Sequence, residues 1–311
     1  MIINDLDGYY IVFDTKNWNT ELDTLSICLP YISYFFMTGF SVLMSVYKKE
    51  NPSYMRDSLN SVFNQTLQPT EVVLVEDGPL TQELYDLVSE FENSHSNLKV
   101  VPLARNGGLG KALNEGLKHC SYDYVARMDT DDQCYPTRFE KQIKFLEEHP
   151  DIDVVGSLTT EFTDDGNGDK KILSTKYFPK TVDENERYSR KRCPVEHPAV
   201  IFKKKSVLEA GGYQHCLLFE DYHLWARMFV NGAKFYNLQE PLLYFRMTED
   251  SFNRRGGWKY AVNELKALGM FRKIGFLSNG QYLFTVLTRF PVRVMPHCIR
   301  KFIYNKFLRK H

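Results

Sequence analysis

Asp129, Asp131 and Asp132 fall within four positions of ARMDTDD (residues 126–132), directly after an apolar run and shortly before Pro136. Like charges crowded this way repel unless a cation sits among them or the backbone spends them as caps. A hard divalent ion, Mg²⁺ or Mn²⁺, removes that penalty, because such ions take one or two carboxylates together with substrate phosphates and water. Aspartates after a strand also cap helices and shape turns, and Asp132, near Pro136, suits that role. The residue types alone leave metal and turn open. A second acidic pair, Glu220 and Asp221, stands in LFEDYHLWARM (218–228). There Leu218, Tyr222, Trp225 and Phe229 recur at helical spacing, so both acids belong to the first turn of an amphipathic helix. They are either ordinary partners of the helix dipole or a carboxylate held toward a cleft as a general base. His197, in PVEHPAV, is a candidate metal ligand or phosphate contact, with a satisfied buried histidine as the alternative.

The elements that must position these groups alternate. Strands are predicted over 40–47, 71–77, 98–103 and 122–129, and helices over 55–65, 81–92 and about 108–119, which is the pattern of a parallel sheet covered by helices. Ligands of such sheets sit beyond the carboxyl ends of the strands. Asp77 and the aspartates at 129–132 both fall there, so topology alone delivers them to one rim. RNGGLGKAL (105–113) is a glycine-rich helix entry whose free N–H groups could face a phosphate. It is neither a Walker loop, since Arg105 and Ala112 stand where glycine and a hydroxyl are required, nor a dinucleotide fingerprint, since Leu113 replaces the third glycine. G-x-S-x-G, H-E-x-x-H and internal repeats are absent, so serine hydrolysis and zinc proteolysis lack support.

Six ordered stretches, SVLMSVYKKENPSYMRDSLNSVFNQT, EVVLVEDGP, ARNGGLGKALNEGL, ARMDTDD, HPAVIFKK and FEDYHLWARM, resemble the motifs of family 2 glycosyltransferases with the GT-A fold. The resemblance runs from about Phe40 to Arg246. It implies an α/β GT-A fold, a Rossmann-like, mostly parallel nucleotide-binding sheet flanked by helices, with a helical C-terminal extension. It also implies inverting transfer of a sugar from a nucleotide-diphosphate-sugar, usually UDP-linked. By that resemblance Asp77 binds the nucleobase, the backbone around Val46 and Tyr47 lines the nucleotide pocket, and Asn106 and Lys111 border the donor. Asp129 contacts ribose or metal, Asp131 ligates Mn²⁺ or Mg²⁺, and His197 is a further candidate ligand. Asp221 is the base, with Glu220 positioning the acceptor. Ser45 and Glu76 replace the Pro and Asp frequent in the family. No Q-x-x-R-W motif follows the acidic pair, which favours single additions over processive synthesis. FRMTEDSFNRRGGWKY (245–260) resembles enzymes building bacterial capsule, exopolysaccharide or O-antigen repeat units, in which Arg254 and Arg255 are candidate phosphate contacts. Two alternatives are a nucleotidyltransferase, which leaves Glu220–Asp221 unexplained, and a non-catalytic sugar-nucleotide-binding protein at the membrane surface.

The 311 residues are 43% hydrophobic and 25% charged with a formal charge of zero, so no polyanion-binding signature and no nucleic-acid partner is expected. The balance hides an asymmetry: Phe271–His311 carries nine Lys or Arg and no acid. Its final part, TRFPVRVMPHCIRKFIYNKFLRKH, mixes apolar residues with cations and suits an anionic bilayer surface beside a lipid-linked acceptor. A helix packed on the domain is the alternative. Six scattered cysteines without metal spacing favour a reduced, cytoplasmic setting, peripheral on the inner face of the cell membrane. Thr24–Tyr47 is uncharged and long enough to span a bilayer, but Pro30 and Gly39 interrupt it and its end reads as a strand. The expected organisation is an N-terminal extension of unknown role (1–38), a transferase domain (39–250) and a basic helical extension (251–311).

Overall fold

Strands that are apolar at nearly every position must be covered on both faces. Phe40–Val46 (β3) and Glu71–Glu76 (β4) are such strands. Leu43, Val73 and Val75 enter one core cluster, while Val42, Met44, Val46, Val72 and Leu74 enter another, so the two-residue period of each strand feeds both faces. The computed structural model describes residues 2–4, 10–12, 38–164, 170–248 and 257–295. The chain divides into two units, Met1–Gly39 and Phe40–His311. In the first, Ile2–Asn4 (β1) pairs antiparallel with Tyr10–Val12 (β2).

The second unit is built on a nine-stranded sheet. Its parallel half places Leu98–Pro102 (β5) beside β4, β4 beside β3, and β3 beside Tyr124–Arg127 (β6). Beyond β6 lie Ile201–Lys203 (β10), then Val154–Asp164 (β8), Phe235–Arg246 (β11) and the short Gln133–Cys134 (β7), with Lys170–Lys176 (β9) pairing on β8. β10 runs antiparallel to both β6 and β8, whereas β8 and β11 are parallel to each other. The expected mostly parallel, helix-flanked sheet is therefore present, with its reversals confined to β7, β9 and β10.

Helices cover both faces: Pro52–Phe63 (α1), Gln82–Ser94 (α2), Leu109–His119 (α3), Arg138–Glu148 (α4), Val182–Ser189 (α5), Lys204–Glu209 (α6) and Glu220–Val230 (α7). Each predicted element between 40 and 129 is found within three residues of its expected ends. The largest miss is the start of α1, where Asn51 caps the Ser53 N–H at 2.9 Å and Pro52 fits the first helical position. Trp258–Lys273 (α8) and Asn279–Val294 (α9) follow. Ala267, Leu268 and Phe271 of α8, with Phe276 and Leu277 beyond it, join the same core cluster as α7. The described part of 251–311 is thus packed on the core of the second unit. Arg289 and Arg293 of α9 both pair with the buried Glu264 of α8. The end of the Thr24–Tyr47 stretch is β3, and no described helix is long and apolar enough to cross a membrane.

α3 rests against β3 and β4 through Gly116, where an added Cβ would lie 2.3 Å from the Leu43 side chain and 2.7 Å from that of Val75. Gly116→Ala is therefore expected to cost about 1–3 kcal/mol through overpacking. A denaturant midpoint unchanged from wild type would show that the helix shifts freely on the sheet.

Candidate active site

Asp77 follows β4, and its backbone N–H donates to the Val46 carbonyl at 2.8 Å, tying the ends of β3 and β4 together. Its carboxylate is buried and accepts from the N–H groups of Gly107 (2.6 Å) and Gly108 (3.0 Å), while the Asn106 amide donates to its carbonyl (3.0 Å). α3 has no side-chain cap of its own, so Asp77 caps it from the neighbouring strand. The N–H groups of Gly107 and Gly108 are thereby spent on Asp77, and the part of the helix entry left to face a phosphate begins at Leu109. The close approach requires Gly78, whose φ is +84° and whose Cβ would lie 2.4 Å from the Asn106 nitrogen. Asp77 keeps unused lone pairs on both oxygens. Tyr47 stands at the end of β3 with 41% of its surface exposed, and Lys111 is exposed in the first turn of α3.

The three aspartates follow β6, with one carboxylate oxygen from each lying within 4.8 Å of the others. Two buried arginines hold them. Arg127 pairs with Asp129. Arg246, at the end of β11, donates its backbone N–H to Asp132 (2.8 Å) and its Nε–H to the Asp131 carbonyl (2.8 Å). Its guanidinium pairs with Asp164 and with Asp57 (3.3 Å) and lies over the Tyr54 ring at 3.9 Å. Glu50 joins the cluster from the loop after β3, accepting from the Thr130 hydroxyl at 2.5 Å.

Burial, with the charges of Asp129 and Glu50, raises the Asp131 carboxyl to about 7. Burial and the Asp131 charge push Asp132 well above the ordinary range, and Asp132 Oδ2 has no hydrogen-bond partner. A divalent ion relieves both problems at once, since it lowers the charge repulsion and partners the orphaned oxygen. The donor set, carboxylates only, suits Mg²⁺ or Mn²⁺. Asp132 is therefore no helix cap; Thr137 occupies that position before α4. His197 lies outside this cluster. Its Nε2 is hydrogen-bonded to the Tyr213 hydroxyl (2.8 Å), its ring meets Trp225 edge-on, and burial holds it well below its ordinary pKa, so the metal-ligand expectation does not fit this geometry.

Glu220 and Asp221 form the first turn of α7, as predicted. The turn is entered through Leu218, at φ +71° the one non-glycine with positive φ among the described residues, a conformation costing on the order of 1 kcal/mol or more. Two side chains fix this turn beside α3. Asn114 of α3 holds both the N–H (2.7 Å) and the carbonyl of Tyr213, and Arg227 of α7 donates to the carbonyls of Ala210 and Gly212. Consequently the Glu220 Cγ lies 3.5 Å from where a side chain on Gly110 would begin. Burial, then the charges of Glu220 and Glu196, raise Asp221 to about 6. A carboxylate so placed is ionised at neutral pH and more basic than usual, which suits proton abstraction.

Sequence reasoning missed Arg127, Arg246, Asn114, Arg227 and Glu50. The two strand arginines had a signal: a cation ending an apolar strand run must find buried partners. Asn114 and Arg227 had none, because their partners are backbone atoms about 99 and 15–17 residues away. Arg254 and Arg255 lie outside the described residues.

Residues 41–210 match glycosyl transferase family 2. The chain is 39% identical to the amylovoran biosynthesis glycosyltransferase AmsE of Erwinia amylovora, over 86% of this chain and 98% of that protein. It is 37% identical to the UDP-Gal:alpha-D-GlcNAc-diphosphoundecaprenol beta-1,3-galactosyltransferase of Escherichia coli, over 87% and 97%. Among solved structures it resembles S. aureus TarS 1–349 in complex with UDP-GlcNAc (TM-score 0.60, 22% identity, 82% of this chain and 72% of that one). The mannosyltransferase PcManGT of Pyrobaculum calidifontis, in complex with GDP-Man and Mn²⁺, is also similar (TM-score 0.57, 14% identity, 82% and 69%). The sheet with its two acidic groups at the rim and the match over more than half the chain agree: this protein belongs to glycosyl transferase family 2 and is a GT-A-fold glycosyltransferase.

Proposed function

We propose that this chain moves a single sugar from a UDP-sugar to a lipid-linked or glycan acceptor during assembly of a bacterial surface polysaccharide, with a divalent cation and with inversion at the anomeric carbon. The observation that carries this reading is the division of acids into two differently tuned sets, a three-carboxylate cluster after β6 and a single basic carboxylate at the start of α7. The E. coli relative's name, with its UDP-sugar donor and diphosphoundecaprenol-linked acceptor, supports the substrate classes, and the Mn²⁺ in the PcManGT complex supports the cation.

Asp129 and Asp131 hold the cation in this scheme, while Asp132, fastened to Arg246 through Oδ1, fixes the loop that presents them and offers the cation its unpartnered Oδ2. A divalent cation bound there supplies positive charge to the departing diphosphate. Asp77 uses its spare lone pairs on the nucleobase, beside Val46 and the exposed Tyr47 ring, while Asn106 and Lys111 flank the donor. Asp221 takes the acceptor hydroxyl's proton as that oxygen attacks the anomeric carbon from the face opposite the leaving group, and the breaking bond's electrons leave with the nucleoside diphosphate. Glu220, beside it in the same turn, orients the acceptor. A nucleotidyltransferase or a non-catalytic binder leaves the tuned Asp221 without a task.

Asp131→Asn should weaken Mn²⁺-dependent UDP binding by at least about 100-fold, whereas Asp221→Asn should leave donor affinity within threefold of wild type and lower turnover by about 10²–10⁴-fold. Calorimetry and a transfer assay separate the two; equal loss of donor affinity in both variants would end the assignment.

Because the folded protein raises Asp131 from 3.8 to about 7, the native state binds the proton more tightly than the unfolded chain does. Metal-free stability should therefore fall as pH rises across that window. Mn²⁺ should raise the melting temperature more at pH 8 than at pH 6, and Asp131→Asn should stabilise the metal-free protein at pH 8. A melting temperature indifferent to Mn²⁺ at both pH values would leave the aspartates as a turn.

With donor saturating, kcat should fall about tenfold per pH unit below about 6 as Asp221 becomes protonated. A flat profile down to pH 5 would remove Asp221 from the base role.

A further inference from the structure

α9 has two faces. Thr285 is buried, and Tyr282, Val286, Arg289 and Arg293 are partly buried against α8 and the core, with Arg289 and Arg293 spent on Glu264. The other side carries Leu283, Phe284, Leu287 and Val294 at 57, 65, 64 and 39% exposure, spaced at helical intervals with Pro291 between the last two. Trp258, at the first position of α8, is 68% exposed and extends the patch through an edge-on contact with Phe290 at 5.7 Å. A contiguous, tightly spaced row of large apolar groups on one helix face is a binding surface by default.

We infer that the α9 face of Leu283, Phe284 and Leu287, with Trp258, is the element that seats this protein on an anionic lipid surface. This rests on the lipid-linked acceptor of the proposed function. Charge selects the occupant. Across Phe271–His311 there are nine Lys or Arg and no Asp or Glu; two of the nine, Arg289 and Arg293, are paired with Glu264, and five of the others lie among apolar residues in the sixteen residues after Met295. An apolar stripe running into an acid-free basic stretch matches the boundary between acyl chains and anionic headgroups. A second protein chain fits less well, since a stable interface takes about 20 residues a side and this stripe is one side chain wide. Pro291 sets the depth. It has no N–H to give the Leu287 carbonyl, and a helix that lacks this bond is better suited to headgroup level than to the hydrocarbon.

The seat is mechanically continuous with the base. Arg293 of α9 lies over the Tyr260 ring of α8 (4.8 Å), Tyr260 packs on Phe219 (5.5 Å), and Phe219 is the residue before Glu220 and Asp221. A lipid surface under α9 is thus joined by two packed contacts and one peptide link to the turn that would receive the acceptor hydroxyl. The sequence placed membrane contact in the basic tail; the structure adds the face that inserts.

The test uses the full chain and vesicles of phosphatidylcholine with and without about 30% phosphatidylglycerol. Wild type should sediment with the anionic vesicles, and the triple variant Leu283→Ser, Phe284→Ser, Leu287→Ser should partition at least tenfold less. A Leu208→Ser control, an equally exposed leucine on α6, should match wild type. Brominated acyl chains should quench Trp258 emission, read as the difference between wild type and Trp258→Phe. Unchanged partition of the triple variant would overturn the inference, as would absence of Trp258 quenching, which would mean that residues 296–311 or another chain cover the stripe. Light scattering that shows a dimer lost in the triple variant would assign the face to protein. UDP binding measured alongside keeps the two readings apart: vesicle binding without nucleotide binding defeats the proposed function alone, and the reverse defeats only this inference.

Discussion

Three aspartates packed at the end of one strand are an electrostatic cost that the rest of the molecule is arranged to contain. Arg246 carries most of that work. It reaches the loop through both backbone and guanidinium, and it is itself held by Asp57, Asp164 and the face of Tyr54. Buried over the Tyr54 and Phe162 rings, it makes these bonds in a low-dielectric setting where they are strongest. The same setting keeps Asp131 and Asp132 reluctant to ionise without a cation. In the proposed function, metal affinity and the cost of the metal-free loop are two expressions of one arrangement.

The second acidic site is held by different means. α7 is registered against α3 by Asn114 and Arg227 bonding to main-chain atoms of residues 210–213, so the position of Glu220 and Asp221 depends on backbone geometry rather than on charge. Gly116 lets α3 approach the sheet closely enough for Asp77 to reach its first N–H groups. One helix thereby connects the Asp77 side of the rim to the Glu220–Asp221 side.

The parallel half of the sheet and the location of the acids were legible in the sequence, because apolar strand runs, helix caps and the end-of-strand rule act locally and repeat. Asp129, Asp131, Glu220 and Asp221 stood out for the same reason: charge crowding needs no tertiary information to be noticed. His197 and Asp132 stayed open between roles because those roles depend on tertiary partners, Tyr213 for one and Arg246 for the other. The reversed strands β7, β9 and β10 are too short, or too polar, to announce their direction. The buried arginines were visible as residues but not as a network, since their partners lie two to almost two hundred positions away.

Asp77 has a consequence for binding. By fastening residues 107 and 108 to the end of β4, it gives the wall proposed to bind the donor its final shape during folding. The ordering entropy of that loop is then lost once per protein lifetime and not once per catalytic cycle. In the proposed scheme the glycine-rich side is already in place when a nucleotide arrives, so ordering that segment adds nothing to the cost of binding.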